Sequence, residues 1–170
     1  MFLRVDAGLR RLYLFCGYLA ALCLAMIAPM VIANIVGRWI GVFVPGTNEI
    51  GGYLMAAVGT LGLAYTFGLN GHIRVSMLVD RLKPTRRRQI EILSLLAAFI
   101  VITFLAKHLL DMVLLSFEYG DRSSGTDNIP IWIPQAPMVF GVVVFAISLL
   151  HAILASMFST RAPYAKRETL

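Results

Sequence analysis

The chain has 170 residues, of which 59% are hydrophobic and only 14% charged, with a formal net charge of +6 and a mean hydropathy of +0.80. A soluble domain carries about 25% charged residues and repeats its apolar positions at helix or strand period, so a water-soluble globular fold is excluded. The positive charge does not point to a nucleic-acid partner: twelve of the fifteen Lys and Arg residues fall in three short groups between long apolar stretches, where membrane topology places them.

Four apolar stretches run over residues 12–36, 50–69, 92–115 and 131–158. Each is long enough to cross about 30 Å of hydrocarbon, which takes around 20 helical residues. They are too long for barrel strands, and backbone groups in lipid must be paired within the segment, so they are helices. The expected fold is all-α, an integral membrane protein with four transmembrane helices near 12–40, 48–69, 88–118 and 131–158. They form one membrane domain over residues 1–170, with a tail at 159–170. The basic groups are Arg4, Arg10 and Arg11; Arg74, Arg81, Lys83, Arg86, Arg87 and Arg88; and Arg161, Lys166 and Arg167. All three share one side of a four-span chain. Short basic loops stay cytoplasmic, so both termini are expected inside.

In the first span, Arg10 and Arg11 precede an apolar run far longer than the 7–15 residues of a signal-peptide core, so the segment reads as a retained helix. Pro29 inside it is a candidate kink. Trp39 at its far end and Trp132 before the fourth span are expected at one interface, where indole rings settle. Cys16 and Cys23 are seven residues, roughly 10 Å, apart on one helix, too far to bridge each other. They read as small apolar packing residues. Asn34, one turn before Arg38, is a candidate for a hydrogen bond across helices. Arg38 and Glu49 bracket the first outer connection and form a candidate ion pair.

The second span places Gly52, Ala56, Thr60, Ala64 and Gly68 four residues apart, with Gly59 and Gly62 close by. Small residues let membrane helices approach closely. This face is either a contact with another helix of the same chain or a candidate contact for a separate subunit. The following connection, with Gly71, His72, Ile73, Arg74 and Val75 ahead of Met77, Leu78, Val79 and Leu82, opposes apolar to charged positions. It is expected to form a short amphipathic segment in the cytoplasmic interface between helices two and three. Arg86, Arg87 and Arg88 open the third helix, where they oppose its macrodipole. Contact with anionic lipid headgroups accounts for them better.

Ionisable residues within a span are suspect by default. Counted from Arg88, Lys107 lies roughly 28 Å along the third helix, which suggests the outer headgroups, with Asp111 four residues on and the lysine stem snorkelling outward. His108 lies between them. His151 in the fourth span reads as a packing histidine. No metal-ligand spacing joins His72, His108 and His151, and no catalytic, P-loop or dinucleotide motif occurs. Neither an enzyme nor a cofactor is expected.

Several of these features together resemble the small membrane subunit of tripartite ATP-independent periplasmic (TRAP) transporters, the DctQ-like family. They are Arg38 after the first span, Glu49 and Tyr53 opening the glycine-bearing second, and the run Gly71-His72-Ile73-Arg74-Val75 with Leu78 and Leu82. The Ile129-Pro130-Ile131-Trp132-Ile133-Pro134 approach to the fourth span, with Pro137 and Gly141, is similar too. The sequence departs from the family at Asn48-Glu49, where many relatives have two acids, and at Gly51-Gly52, where an arginine often stands near the tyrosine. The resemblance implies a three-part, sodium-coupled importer of organic acids in the bacterial inner membrane. Its partners are a large permease subunit and a periplasmic solute-binding protein, with membrane lipids around it. This chain would brace the large subunit and help dock the binding protein. The small-residue face of the second helix and the Gly71, His72 and Arg74 segment are the candidate contacts.

Two other readings stand beside it. A self-sufficient small oligomeric exporter or channel needs a strongly polar group at the membrane centre, for which Thr60, Thr103 and Ser148 are the candidates. A membrane redox enzyme needs paired cysteines at the outer face, and neither cysteine lies there.

Overall fold

The computed structural model describes residues 2–42, 45–68, 84–123 and 128–158, with backbone alone for 2–7, 84, 85, 87, 157 and 158. The segment carrying Gly71, His72 and Arg74 and the tail at 159–170 lie outside the described residues. Four helices follow in order: α1 Phe2–Trp39, α2 Thr47–Gly68, α3 Pro84–Glu118 and α4 Trp132–Phe158. Each contains a segment long and apolar enough to cross a membrane. Among the described residues there is no strand, only an isolated bridge between Arg122 and Pro130.

The helices differ from the apolar stretches in instructive places. α1 begins ten residues ahead of the expected start, so Arg10 and Arg11 ride on the helix itself. Hydropathy marks where lipid begins, whereas the backbone hydrogen-bond ladder continues past it. α1 also remains one helix through Pro29. α3 starts at Pro84, a residue suited to the first helical position because its missing N–H has no acceptor there. α1 and α3 end alike: Gly41 and Gly120 take left-handed φ values of 72° and 64°. Val42 N–H then donates to the Gly37 carbonyl at 2.8 Å, and Asp121 N–H to the Ser116 carbonyl at 3.0 Å. These are Schellman closures, which reuse carbonyls the helix end leaves unpaired.

The helices pack as an open row, α1 on α2, α2 on α4, and α4 on α3, with α1 and α3 at its two edges. Half of the apolar window of α4 is buried, against 6% for α1 and for α3, so α4 is the central element and the edges present their sides outward. Packed pairs fix the register. Asn34 Nδ2 donates to Thr47 Oγ1 at 2.5 Å, Gly17 lies against the ring of Tyr65, and Gly68 against that of Tyr13, so α1 and α2 run antiparallel along their full contact. α2 and α4 meet where Gly141 abuts the backbone of Thr60 and Leu61 and where Phe67 and Phe145 pack edge to face at 5.6 Å. α3 and α4 are joined at one end by Phe117 and Trp132, ring centroids 5.5 Å apart, and at the other by Arg88 and Ser156. One end of the row therefore carries Trp39 and Trp132, the other Arg10, Arg11 and Arg88.

The core is mostly small or branched side chains, Cys16, Ala57, Leu61, Ala64, Val144 and Leu149, with the rings of Tyr13 and Phe145 among them. In lipid there is no hydrophobic drive between helices, so close backbone approach and dispersion hold them together.

Candidate functional site

The small-residue face of α2 divides. Ala64 is completely buried, Gly68 is covered by Tyr13, and Thr60 gives its backbone to Gly141. Ala56 is half-buried and accepts the Thr60 hydroxyl through its carbonyl at 3.1 Å. Thr60, Ala64 and Gly68 thus serve packing inside the chain. Gly52 is exposed and has nothing near it, as does Gly59. With exposed Met55 and Leu63 they form an outward face of α2, turned by about 160° from the buried Ala57, Leu61 and Ala64. Of the five positions in the four-residue repeat, Gly52 is the one left exposed.

At the tryptophan end, the expected Arg38–Glu49 pair is not made. Glu49 instead accepts the Ser123 hydroxyl at 2.6 Å, and Tyr53 OH points at the same oxygen from 3.4 Å. This clamps the α3–α4 connection onto the start of α2. The connection is itself shaped by Ser123 N–H donating to the Ile129 carbonyl at 2.8 Å and Ile131 N–H to the Asp121 carbonyl at 3.1 Å. Ser123 was not legible as a partner, because a loop serine 74 residues from Glu49 leaves no periodic signal. Arg38 is exposed and lines a cleft of about 380 Å³ between α1 and α2, together with Asn34, Trp39, Thr47 and Asn48. Asn34 does make its cross-helix bond, to Thr47.

At the arginine end, Arg86 is exposed and the side chain of Arg87 lies outside the described residues. Arg88 has a role its own helix does not predict. Its Nη2 donates to the Ser156 carbonyl at 2.9 Å, in the last turn of antiparallel α4. A cation at the start of α3 opposes that helix's dipole but complements the carbonyl end of its neighbour. Headgroup contact therefore remains an expectation for Arg86, whereas Arg88 is committed to tertiary structure.

The third set lies on α3. Lys107, His108 and Asp111 are all exposed on its outward side. Counting from Arg88 alone does not fix their height in the row, because Arg88 sits against the last turn of α4, at Ser156. From the fixed contact at Phe117 and Trp132, Lys107 is ten residues, roughly 15 Å, down the helix. That is level with α4 near Phe140 and Gly141, and Gly141 abuts Thr60 and Leu61, just past the middle of α2. α2 has 22 residues and rises roughly 33 Å, the thickness of the hydrocarbon. Lys107 therefore stands near the middle of the row's height, and Asp111 about 6 Å nearer the tryptophan end. Side chains lean toward their helix N-terminus, which for α3 is the arginine end, so snorkelling toward the tryptophan end runs against that lean. His108 Nδ1–H donates to the Phe104 carbonyl at 2.9 Å, and its ring lies against Phe104 with centroids 4.1 Å apart, leaving Nε2 free to face outward. Among the described residues, no hydrogen bond or ion pair reaches the Lys107 ammonium or the Asp111 carboxylate. A charged residue at the centre of a lipid-facing helix costs about 2.5–3.5 kcal/mol on insertion scales.

Two of the three candidate hydroxyls near the centre of the row are satisfied within their own helices. Ser148 Oγ donates to the Phe145 carbonyl at 2.7 Å and Thr60 Oγ1 to Ala56, each turned back on its own helix. Among the described residues, no group of three or more His, Cys, Asp or Glu side chains gathers around a metal position.

Residues 27–158, well over half of the chain, match the family model of the DctQ component of tripartite ATP-independent periplasmic transporters. No curated protein matches the chain.

Proposed function

The chain belongs to the DctQ component family of TRAP transporters, and from that premise we propose that it serves a sodium-coupled, binding-protein-dependent importer of organic acids as the brace of the large permease subunit. It is a multi-pass membrane protein and the small subunit of such a transporter. In the proposed division of labour, substrate and sodium are handled by the large subunit. This chain sits in the bacterial inner membrane with both termini in the cytoplasm and its tryptophan end toward the periplasm, where the Arg38 cleft and the Glu49–Ser123 clamp help receive the solute-binding protein.

The observation that carries this reading is the open row of helices. α1 and α3 stand at opposite edges instead of closing a ring, so among the described residues one copy encloses no lumen, and its edges offer long flanks to a neighbour. Reconstitution tests it directly. Vesicles holding this chain, the large subunit and the binding protein should take up a radiolabelled organic acid along an inward sodium gradient, and leaving out this chain should abolish uptake. Undiminished uptake without it would refute the role.

A second reading keeps one observation in its favour. The self-sufficient exporter or channel needs a charged or strongly polar group at the membrane centre, and Lys107, His108 and Asp111 stand near the middle of the row. It predicts solute flux through vesicles containing this chain alone, which the brace does not.

A further inference from the structure

We propose that the outward face of α3, centred on Lys107, His108 and Asp111, is the surface that docks the large membrane subunit, against a helix bearing an acid or amide opposite Lys107 and a hydrogen-bond donor opposite Asp111. The inference rests on the subunit reading above and adds to it which face is used and what chemistry it meets.

Three features converge. The side chains are exposed on an edge helix that only α4 covers substantially. They lie near mid-depth, by the register through Trp132 and Gly141. Lipid cannot meet their hydrogen-bonding needs there, and such residues in membrane helices face protein or water-filled space. Lys107 and Asp111 are one turn apart and can turn toward each other. That would leave the remaining donors and acceptors of both groups, and His108 Nε2, still facing hydrocarbon.

Three occupants compete for the face: lipid, a second copy and a different protein. Lipid fails for the reason just given. A second copy related by a two-fold axis along the membrane normal would set each residue opposite its own equivalent at equal depth. Lys107 would then face Lys107 and Asp111 would face Asp111, like charges in a poorly screened medium. A different polypeptide carrying complementary groups meets neither objection. Around the charged centre the face supplies an apolar rim in Ile100, Phe104 and Leu114, all exposed. A packed rim around a polar centre excludes competing water and strengthens the bonds within.

The test uses the complete chain co-expressed with the large subunit. A photo-reactive phenylalanine analogue in place of Phe104 should give an adduct with the large subunit. The same analogue in place of Ala25, exposed on α1 at the opposite edge of the row, should not. The double variant Lys107→Leu with Asp111→Leu should retain at least ten-fold less large subunit on affinity purification. Leucines suit lipid, so this variant should insert as well as the parent, which its yield and helicity in detergent check. Adducts confined to lipid or to a second copy, an adduct from Ala25 but not Phe104, or unchanged retention by the double variant would overturn the assignment. If the parent chain itself retains no large subunit, the subunit reading fails, and this face with it.

Discussion

Gly141→Ala is expected to destabilise the isolated subunit by about 1–2 kcal/mol, while Gly59→Ala leaves it unchanged or slightly more stable. A methyl group at Gly141 would lie 2.6 Å from the Thr60 carbonyl carbon and 2.7 Å from Leu61 N. Both are backbone atoms of α2, so no side chain can swing away. Ordinary contact begins at 3.4 Å where 2.6 Å is available, so α2 and α4 must part by about 0.8 Å. A gap of 0.5–1 Å forfeits a quarter to a half of each dispersion contact along it, and here that seam holds Ala57, Leu61, Ala64, Val144 and Leu149. Overpacking of this kind costs about 1–3 kcal/mol, offset by the roughly 0.5–1 kcal/mol that alanine gains over glycine inside a helix. At Gly59 nothing lies within 4 Å, so only the gain remains. Denaturant titration of both variants in detergent, followed by circular dichroism, gives the comparison. A Gly141→Ala midpoint equal to or above that of Gly59→Ala would refute the close approach of α2 to α4, and with it the register on which mid-depth Lys107 depends.

Removing the clamp at the tryptophan end with Ser123→Ala should cost about 1–3 kcal/mol, as expected for a hydrogen bond to an ionised carboxylate. It should also make the α3–α4 connection several-fold more susceptible to added protease, whereas Arg38→Ala should leave protease sensitivity at parent level. Arg88→Ala should lower stability by about 1 kcal/mol through loss of its bond to α4, and Arg86→Ala by less than about 0.5 kcal/mol, as for an exposed surface change; paired detergent melts decide between them. For orientation, a cysteine in place of Asn128 should react with an impermeant maleimide in intact cells, and one in place of Arg86 only after permeabilisation. The reverse pattern would invert the assigned topology.

Four spans and their alternating charge were legible from the chain alone, because lipid imposes a length and a polarity that neighbours cannot alter: about 20 apolar residues per crossing and arginines outside it. The ends of α2 and α4 were legible within a residue for the same reason. The contact residues were not. Four-residue spacing marked Gly52, Ala56, Thr60, Ala64 and Gly68 as one face, but whether a face meets its own chain or another protein depends on which helices lie beside it. Only the row order turned Thr60, Ala64 and Gly68 inward and left Gly52 outside. Glu49 found Ser123 instead of Arg38, and Arg88 found α4, through chain segments 74 and 68 residues away, a separation at which local pattern carries no information. Depth shows the division most plainly. A residue count along α3 measures distance from Arg88, but its height against the other helices is set by how α3 is staggered against α4, and that stagger puts Lys107 level with the middle of α2.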